Sequence, residues 1–305
     1  MRDDNLTRGR LTLSLDFELG WGTLENNRWR RRERAGVYER LRPAMRSFLS
    51  LLDDLEIAVT WATVGAMVCK PEDMDFDHVP AVQREAVGRF LSGAHPTTRD
   101  GRDLLEMMLG ARVRHDIGSH SFSHTRFGTT GFDLEARRTD LYRARTILRQ
   151  WGCTPQSFVF PENDAPSLAG LADADIRLAR LAPMASRTSR LTRLRTLAAP
   201  PPGTLTVAAD EGPATEAGSM LFHWPPSGRG HRLRRAVTLL RAFRGLRRAA
   251  RGGPAVHYWL HPFNLAENHD LHRSLARLLR EAAAHRDAGR LRIIPMSGIT
   301  AALSG

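Results

Sequence analysis

The chain has 305 residues, 42% of them hydrophobic, and a formal charge of +12. That length supports one large core or two ordinary ones. The sequence shows no helix-turn-helix pattern and no aromatic-rich basic patch, which argues against a nucleic-acid partner. Lys70 is the only lysine, so the positive charge reads as an arginine bias of the whole chain rather than a polyanion footprint. Cys69 and Cys153 are isolated and form no CxxC pair, which points to a reducing compartment. The opening MRDDNLTRGR offers no apolar leader, so a cytoplasmic chain is expected. No apolar run approaches a membrane span, so no stable membrane insertion is expected. The oligomeric state is left open.

The first predicted element is a strand at 11–17, and it leads into Asp16 and Glu18. Two residues apart on a strand means one face, so both carboxylates point into one site. An Arg-rich loop with aromatics, 21–36, begins at Trp21. Residues 41–55 place Leu41, Met45, Phe48, Leu51, Leu52 and Leu55 at helical spacing. A strand follows at 58–63, then an excursion at 70–102 and a strand at 113–117. Behind that strand stand His120 and His124. On a helical turn this spacing puts both imidazoles on one face, within reach of one divalent metal.

Residues 135–151 read as a helix. The strand at 157–160 ends in Pro161, Glu162 and Asn163, and 198–218, with its PPPG, reads as a flexible connection. After a strand at 219–223 comes a basic helix within 229–251, with Leu233, Val237, Leu240, Phe243 and Leu246 at helical spacing. The favoured reading is a barrel helix with a solvated outer face, ahead of a membrane- or anion-binding surface. The strand at 256–260 ends in His261 and Pro262, and a helix at 271–284 and a strand at 291–295 complete the chain.

Strand–helix alternation along one chain implies parallel strands, in an α/β barrel or a doubly wound sheet. The polar clusters fall at the carboxyl ends of four predicted strands. In a barrel those ends share one rim, where active sites are built. Two histidines plus one carboxylate leave an open position on a metal, so a metal hydrolase is the first reading.

These residues resemble the polysaccharide deacetylase family, the NodB-homology proteins of carbohydrate esterase family 4, from about Leu11 to Met296. The resemblance rests on D-F-E at 16–18, H-S-x-x-H at 120–124, FVFPEN at 158–163 and the Leu260–His261 pair. TWATVG at 60–65 also looks like the second strand of that group. It implies an irregular (β/α) barrel with fewer than eight regular strands. Residues 1–10 would be an N-terminal extension and 11–305 a single catalytic domain. By the same resemblance Asp16 is the general base, Glu18, His120 and His124 hold the metal, and His261 is the general acid. Zinc suits that donor set, as do iron, cobalt and nickel. The implied substrate is an N-acetylated amino sugar or glycoside. A non-sugar amide, imide or ureide, and a metal-binding protein with little catalysis, are the alternatives.

One position departs from the family pattern. An arginine commonly follows the strand-four proline and contacts the catalytic aspartate, whereas this chain has Glu162. An acid there would raise the pKa of one of the two carboxylates. Three explanations compete: neutralisation by Arg28 or Arg30, substrate recognition by Glu162, or impaired catalysis. Recognition ranks first, and Glu162, Asn163 and Trp21 are the expected substrate-binding residues. Asp210 lies where a residue orienting His261 would stand, without a trusted motif around it. His257, Trp259 and Phe263 are expected to pack around the rim.

Overall fold

The computed structural model describes residues 8–183, 199–204, 206–207 and 212–303. Strand β1 (Arg10–Phe17), RLTLSLDF, is buried along its whole length. Its side chains alternate, as a strand requires. Leu11, Leu13, Leu15 and Phe17 belong to the main apolar cluster, while Arg10, Thr12, Ser14 and Asp16 face the other way and are just as buried. β1 therefore turns an apolar face outward against the helices and a polar face inward.

Ten strands among the described residues form one sheet. Strands β2 (Thr60–Thr63), β3 (Asp116–Ser119), β4 (Ser157–Val159) and β5 (Leu178–Leu181) follow β1 on one side, all parallel. β6 (Thr206–Val207) is a short antiparallel edge on β7 (Ala214–Ala217), and β8 (Met220–Leu221) pairs with β9 (Val256–Leu260). β9 lies parallel to β1 on its other side, and β10 (Arg292–Ile293) pairs with the foot of β1. β7 pairs with β5, and β8, three residues further on, pairs with β9. The handover is made at two amides: Gly218 donates to the carbonyl of Leu181 (3.0 Å) and Ser219 to that of His257 (2.8 Å). One continuous stretch thus closes the ring. The barrel has seven parallel staves, β1 to β5, β7 with β8, and β9, one fewer than a regular (β/α) barrel.

Helices α1 (Val37–Asp54), α2 (Ala81–Gly93), α3 (Arg102–Leu109), α4 (Leu134–Gln150), α5 (His231–Ala249) and α6 (His269–Asp287) accompany the staves. In α1 the buried residues Leu41, Met45, Phe48, Leu49 and Leu52 recur every three or four positions, which gives it an apolar stripe. Truncating a fully buried ring such as Phe48 typically costs about 3–5 kcal/mol.

Several expectations need correction. The strand expected at 113–117 lies at Asp116–Ser119, because the Val113 amide is held by the Asp53 carboxylate (2.8 Å) at the end of α1. The loop at 21–36 contains a helix, Arg28–Arg34, and the excursion at 70–102 contains α2. The connection expected at 198–218 contains β6 and β7 among its described residues. β5 was not expected at all: LARL is too short and too charged to show a strand period. β1 starts at Arg10, one residue earlier than expected, and that residue lies inside the barrel.

Candidate active site

Parallel register sets the carboxyl ends of the staves side by side. Phe17 pairs with Thr63, Thr63 with Ser119, Val159 with Arg180 and Leu15 with Leu260. The residues that follow these ends, Glu18, His120 and His261, therefore crowd one rim. Glu18 is at their centre. One carboxylate oxygen lies 3.0 Å from His124 Nε2 and 3.4 Å from His120 Nε2, and the other lies 3.5 Å from His261 Nε2. Glu18, His120 and His124 are buried and their ligand atoms all fall within 4.8 Å of one another.

The histidine pair does not lie on a helical turn. Residues 120–124 form a bent loop with left-handed backbone at Ser121 (φ 65°) and His124 (φ 57°). The bend brings the rings together edge to face, 4.7 Å between centroids. Asp140 of α4 holds it in place by accepting from the amides of Phe122 (2.8 Å) and Ser123 (3.1 Å). His78 Nε2 lies 2.9 Å from the same carboxylate.

The donor set fits a divalent cation. His120 Nδ1 donates to the Val159 carbonyl (2.7 Å), which leaves the Nε2 lone pair facing Glu18. His124 Nε2 is buried, makes no hydrogen bond and lies 3.0 Å from a carboxylate oxygen. A buried nitrogen without a hydrogen-bond partner is costly in an ordinary core. Here it is a ligand atom pointing into a tight His–His–Glu set, the chemistry of a zinc-type site. Burial pushes the Glu18 carboxyl up, but the charge on His261 and the close approach of His120 and His124 bring it well below its usual range. Burial pulls His124 down, and the close Glu18 carboxylate outweighs it and raises it.

Asp16 lies on the inner face of β1, gripped by Arg180 of β5 through two parallel bonds of 2.7 and 2.8 Å. Burial would raise its pKa. Arg180, followed by the charges on His120 and His261, lowers it instead, so the carboxylate is ionised at neutral pH.

No protein-family model matches the sequence, and no curated protein matches it. Solved structures do match. A Mycobacterium smegmatis protein described as a polysaccharide deacetylase shares 15% identity, with a TM-score of 0.59, over 96% of this chain and 89% of its own. A Pseudomonas aeruginosa PAO1 protein described in the same way shares 12% identity, with a TM-score of 0.60, over 97% and 91%. Puue allantoinase shares 14% identity, with a TM-score of 0.56, over 97% and 90%. The chain has the polysaccharide deacetylase fold.

Asp16 takes its arginine partner from β5 rather than from the segment after Pro161. Arg180 reaches Asp16 from β5, so neither Arg28 nor Arg30 is needed; Arg30 lies over the Trp29 ring at 4.5 Å. Glu162 adopts left-handed backbone (φ 52°) and its half-exposed carboxylate approaches Arg126 (3.9 Å). Asn163 Oδ1 accepts from Arg180 at 3.4 Å. Both residues line an open groove of about 480 Å³ with Arg126, Gly128, Thr129 and Asp164. Trp21 has no such access: it is 1% exposed, donates to the Arg99 carbonyl, and packs against Phe76 and Phe90. Its expected role in substrate binding gives way to core packing.

Behind Asp16 runs a buried polar chain that the motifs did not disclose. Arg180 donates to Ser14 Oγ (2.8 Å), and Ser14 Oγ lies 2.8 Å from His257 Nε2. His257 Nδ1 lies 2.8 Å from Glu216, which Arg10 holds from the far side at 2.6 Å. The Glu216 carboxylate only accepts, so His257 Nδ1–H donates to it, and the Nε2 lone pair of a neutral ring then accepts the Ser14 hydroxyl proton. Burial, the largest effect, pulls the His257 pKa down, consistent with a neutral ring. Arg10, Glu216, Arg180 and Asp16 balance to zero charge inside the barrel. Packing alone was expected for His257, Trp259 and Phe263. His257 instead joins this chain, Trp259 lies under the Arg180 guanidinium (4.6 Å), and Phe263 stacks on His261 (5.0 Å). These aromatics and the Asn264 side chain, which accepts from the His261 amide (3.2 Å), surround His261. Asp210 lies outside the described residues.

Proposed function

We propose that the protein is a metal-dependent deacetylase that hydrolyses the N-acetyl group of an amino sugar or related glycoside. The observation that carries this reading is the buried His124 Nε2 without a hydrogen-bond partner beside His120 and Glu18, next to an ionised Asp16 and a partly exposed His261. Glu18, His120 and His124 would hold the cation. Such an ion polarises an acyl oxygen and lowers the pKa of water from about 16 toward 7. Asp16 takes the proton of the attacking water, and Arg180 keeps that carboxylate ionised and aimed. His261, held between Trp259 and Phe263, delivers a proton to the departing nitrogen. Zinc suits the ligand set best. Glu162 and Asn163, on the groove beside Asp16, would recognise the sugar.

With Arg180 filling the vacant role, the Glu162 departure no longer speaks for a protein that binds without turnover. The test is acetate release from N-acetylated amino sugars, set against hydrolysis of small cyclic imides and ureides. Release by the wild type and its loss in His124→Ala, together with about one transition metal per chain lost in that variant, is expected. Imide or ureide hydrolysis without acetate release would move the substrate outside sugars. Absence of metal after reconstitution would overturn the reading.

A further inference from the structure

Helix α5 turns its apolar stripe the wrong way for a barrel helix. Its buried residues are Ala242, Gly245, Leu246 and Ala249, all in its second half. In the first half no residue is fully buried, and Leu239, on that same inward side, packs partly against the core. There Leu233, Ala236, Val237 and Leu240, spaced three and four apart, form a stripe on the side of the helix opposite those buried positions. Leu233 is 66% exposed and Leu240 41%.

Arginines flank this outward stripe. Arg229, Arg232 and Arg234 are exposed and make no ion pair among the described residues, whereas Arg235 is matched by Asp270 and Arg247 by Glu281. Between Glu216 and Glu267 the sequence has no acidic residue. The helix that carries the stripe starts from the rim side of the barrel. β8 ends at Leu221, paired with Trp259, two residues before His261, and the chain then climbs from the rim into α5. Arg235 reaches Asp270 in the first turn of α6, just after His261.

A solvent-facing leucine stripe bordered by unpaired arginines is the pattern of a helix that lies in a membrane interface. A polynucleotide would use the arginines but gain nothing from the leucines. A second copy packed stripe to stripe would set arginine against arginine. We propose that the first half of α5 docks the protein on an anionic phospholipid surface, with the rim of the barrel turned toward the bilayer. The readout below needs no catalysis, so this surface stands or falls separately from the deacetylase reading.

The test is flotation of the full chain with phosphatidylcholine vesicles, with and without phosphatidylglycerol. Binding is expected only to the anionic vesicles, weakening as salt screens the arginines. Each arginine removed should lower the partition coefficient about fivefold, so Arg232→Gln with Arg234→Gln should lower it about 25-fold. Leu233→Glu, at an exposed position, should abolish binding without unfolding the chain. Leu109→Glu, at a 43% exposed leucine on α3, should bind as the wild type does. Four outcomes overturn the proposal: no binding to anionic vesicles, equal binding to neutral ones, undiminished binding by Leu233→Glu, or a vesicle-free dimer that Leu233→Glu dissolves.

Discussion

A methyl group at position 22 would have nowhere to go. A Cβ on Gly22 would lie 2.0 Å from the Glu18 carboxylate, so Gly22→Ala must push away the one group that contacts all three rim histidines. The displaced atoms are the end of a side chain rather than backbone, so the fold should survive while the metal does not. Elemental analysis of Gly22→Ala is expected to fall from about one ion per chain toward none, with a thermal midpoint close to wild type; full metal retention would refute this. Glu216 makes a different residue-scale prediction. Burial pushes its carboxyl up, yet Arg10 and His257 bring it from 4.5 to about 2. In the fold it stays ionised where the unfolded chain already takes up a proton. Its contribution is therefore complete above about pH 4.5 and is lost as pH falls toward 2. Glu216→Gln, followed by urea unfolding at several pH values, should flatten the acid loss of stability across that window. It should also be less stable at neutral pH, because Arg10 loses its buried carboxylate. An unchanged slope would show that the native carboxyl titrates normally.

At the scale of elements, legibility tracked length and period. α1, α4 and α6 showed through their apolar spacing, β1 through its alternation of leucines with polar residues, and β2, β4 and β9 through short runs rich in apolar and β-branched residues. β5 and β7 did not, because LARL and ATEA carry charged residues into the barrel interior, where Arg180 and Glu216 find each other's partners only in three dimensions. One signal was present: the strict alternation of Arg10, Thr12, Ser14 and Asp16 with leucines in β1 foretells a polar inner face. The five rim residues Asp16, Glu18, His120, His124 and His261 were legible because each follows or ends a strong strand. The bend that joins the histidines was not, since it depends on Asp140, fifteen or more residues later on α4. Asp140→Ala would leave the buried amides of Phe122 and Ser123 unsatisfied, each worth about 1–3 kcal/mol. Lower stability and weakened metal binding are expected together, read by chemical denaturation and metal titration. Asp140→Asn should recover part of both, because its carbonyl still accepts one amide. Tight metal binding by the alanine variant would mean that the bend holds itself.

For the whole molecule, the rim is where separate parts of the chain become one structure. Glu18 belongs to the end of β1, and His120 and His124 to the loop after β3, a hundred residues later. A cation shared by them would cross-link staves that are not neighbours in the sheet, since β2 lies between β1 and β3. Metal bound by the folded state and not by the unfolded chain stabilises by mass action, about 2.7 kcal/mol when free ion is a hundredfold above its Kd. In a chain of this size that amounts to a rise of several degrees in Tm. Treating the loaded protein with a chelator should lower Tm by that amount, and returning zinc should restore it. His120→Ala should show neither change, although its fold is otherwise intact. The comparison separates a cation that stabilises through these three side chains from one bound elsewhere on the surface. If the chelator lowered Tm equally in the wild type and in His120→Ala, the stabilising ion would lie outside the rim, and the cluster of Glu18, His120 and His124 would owe its geometry to the surrounding fold alone.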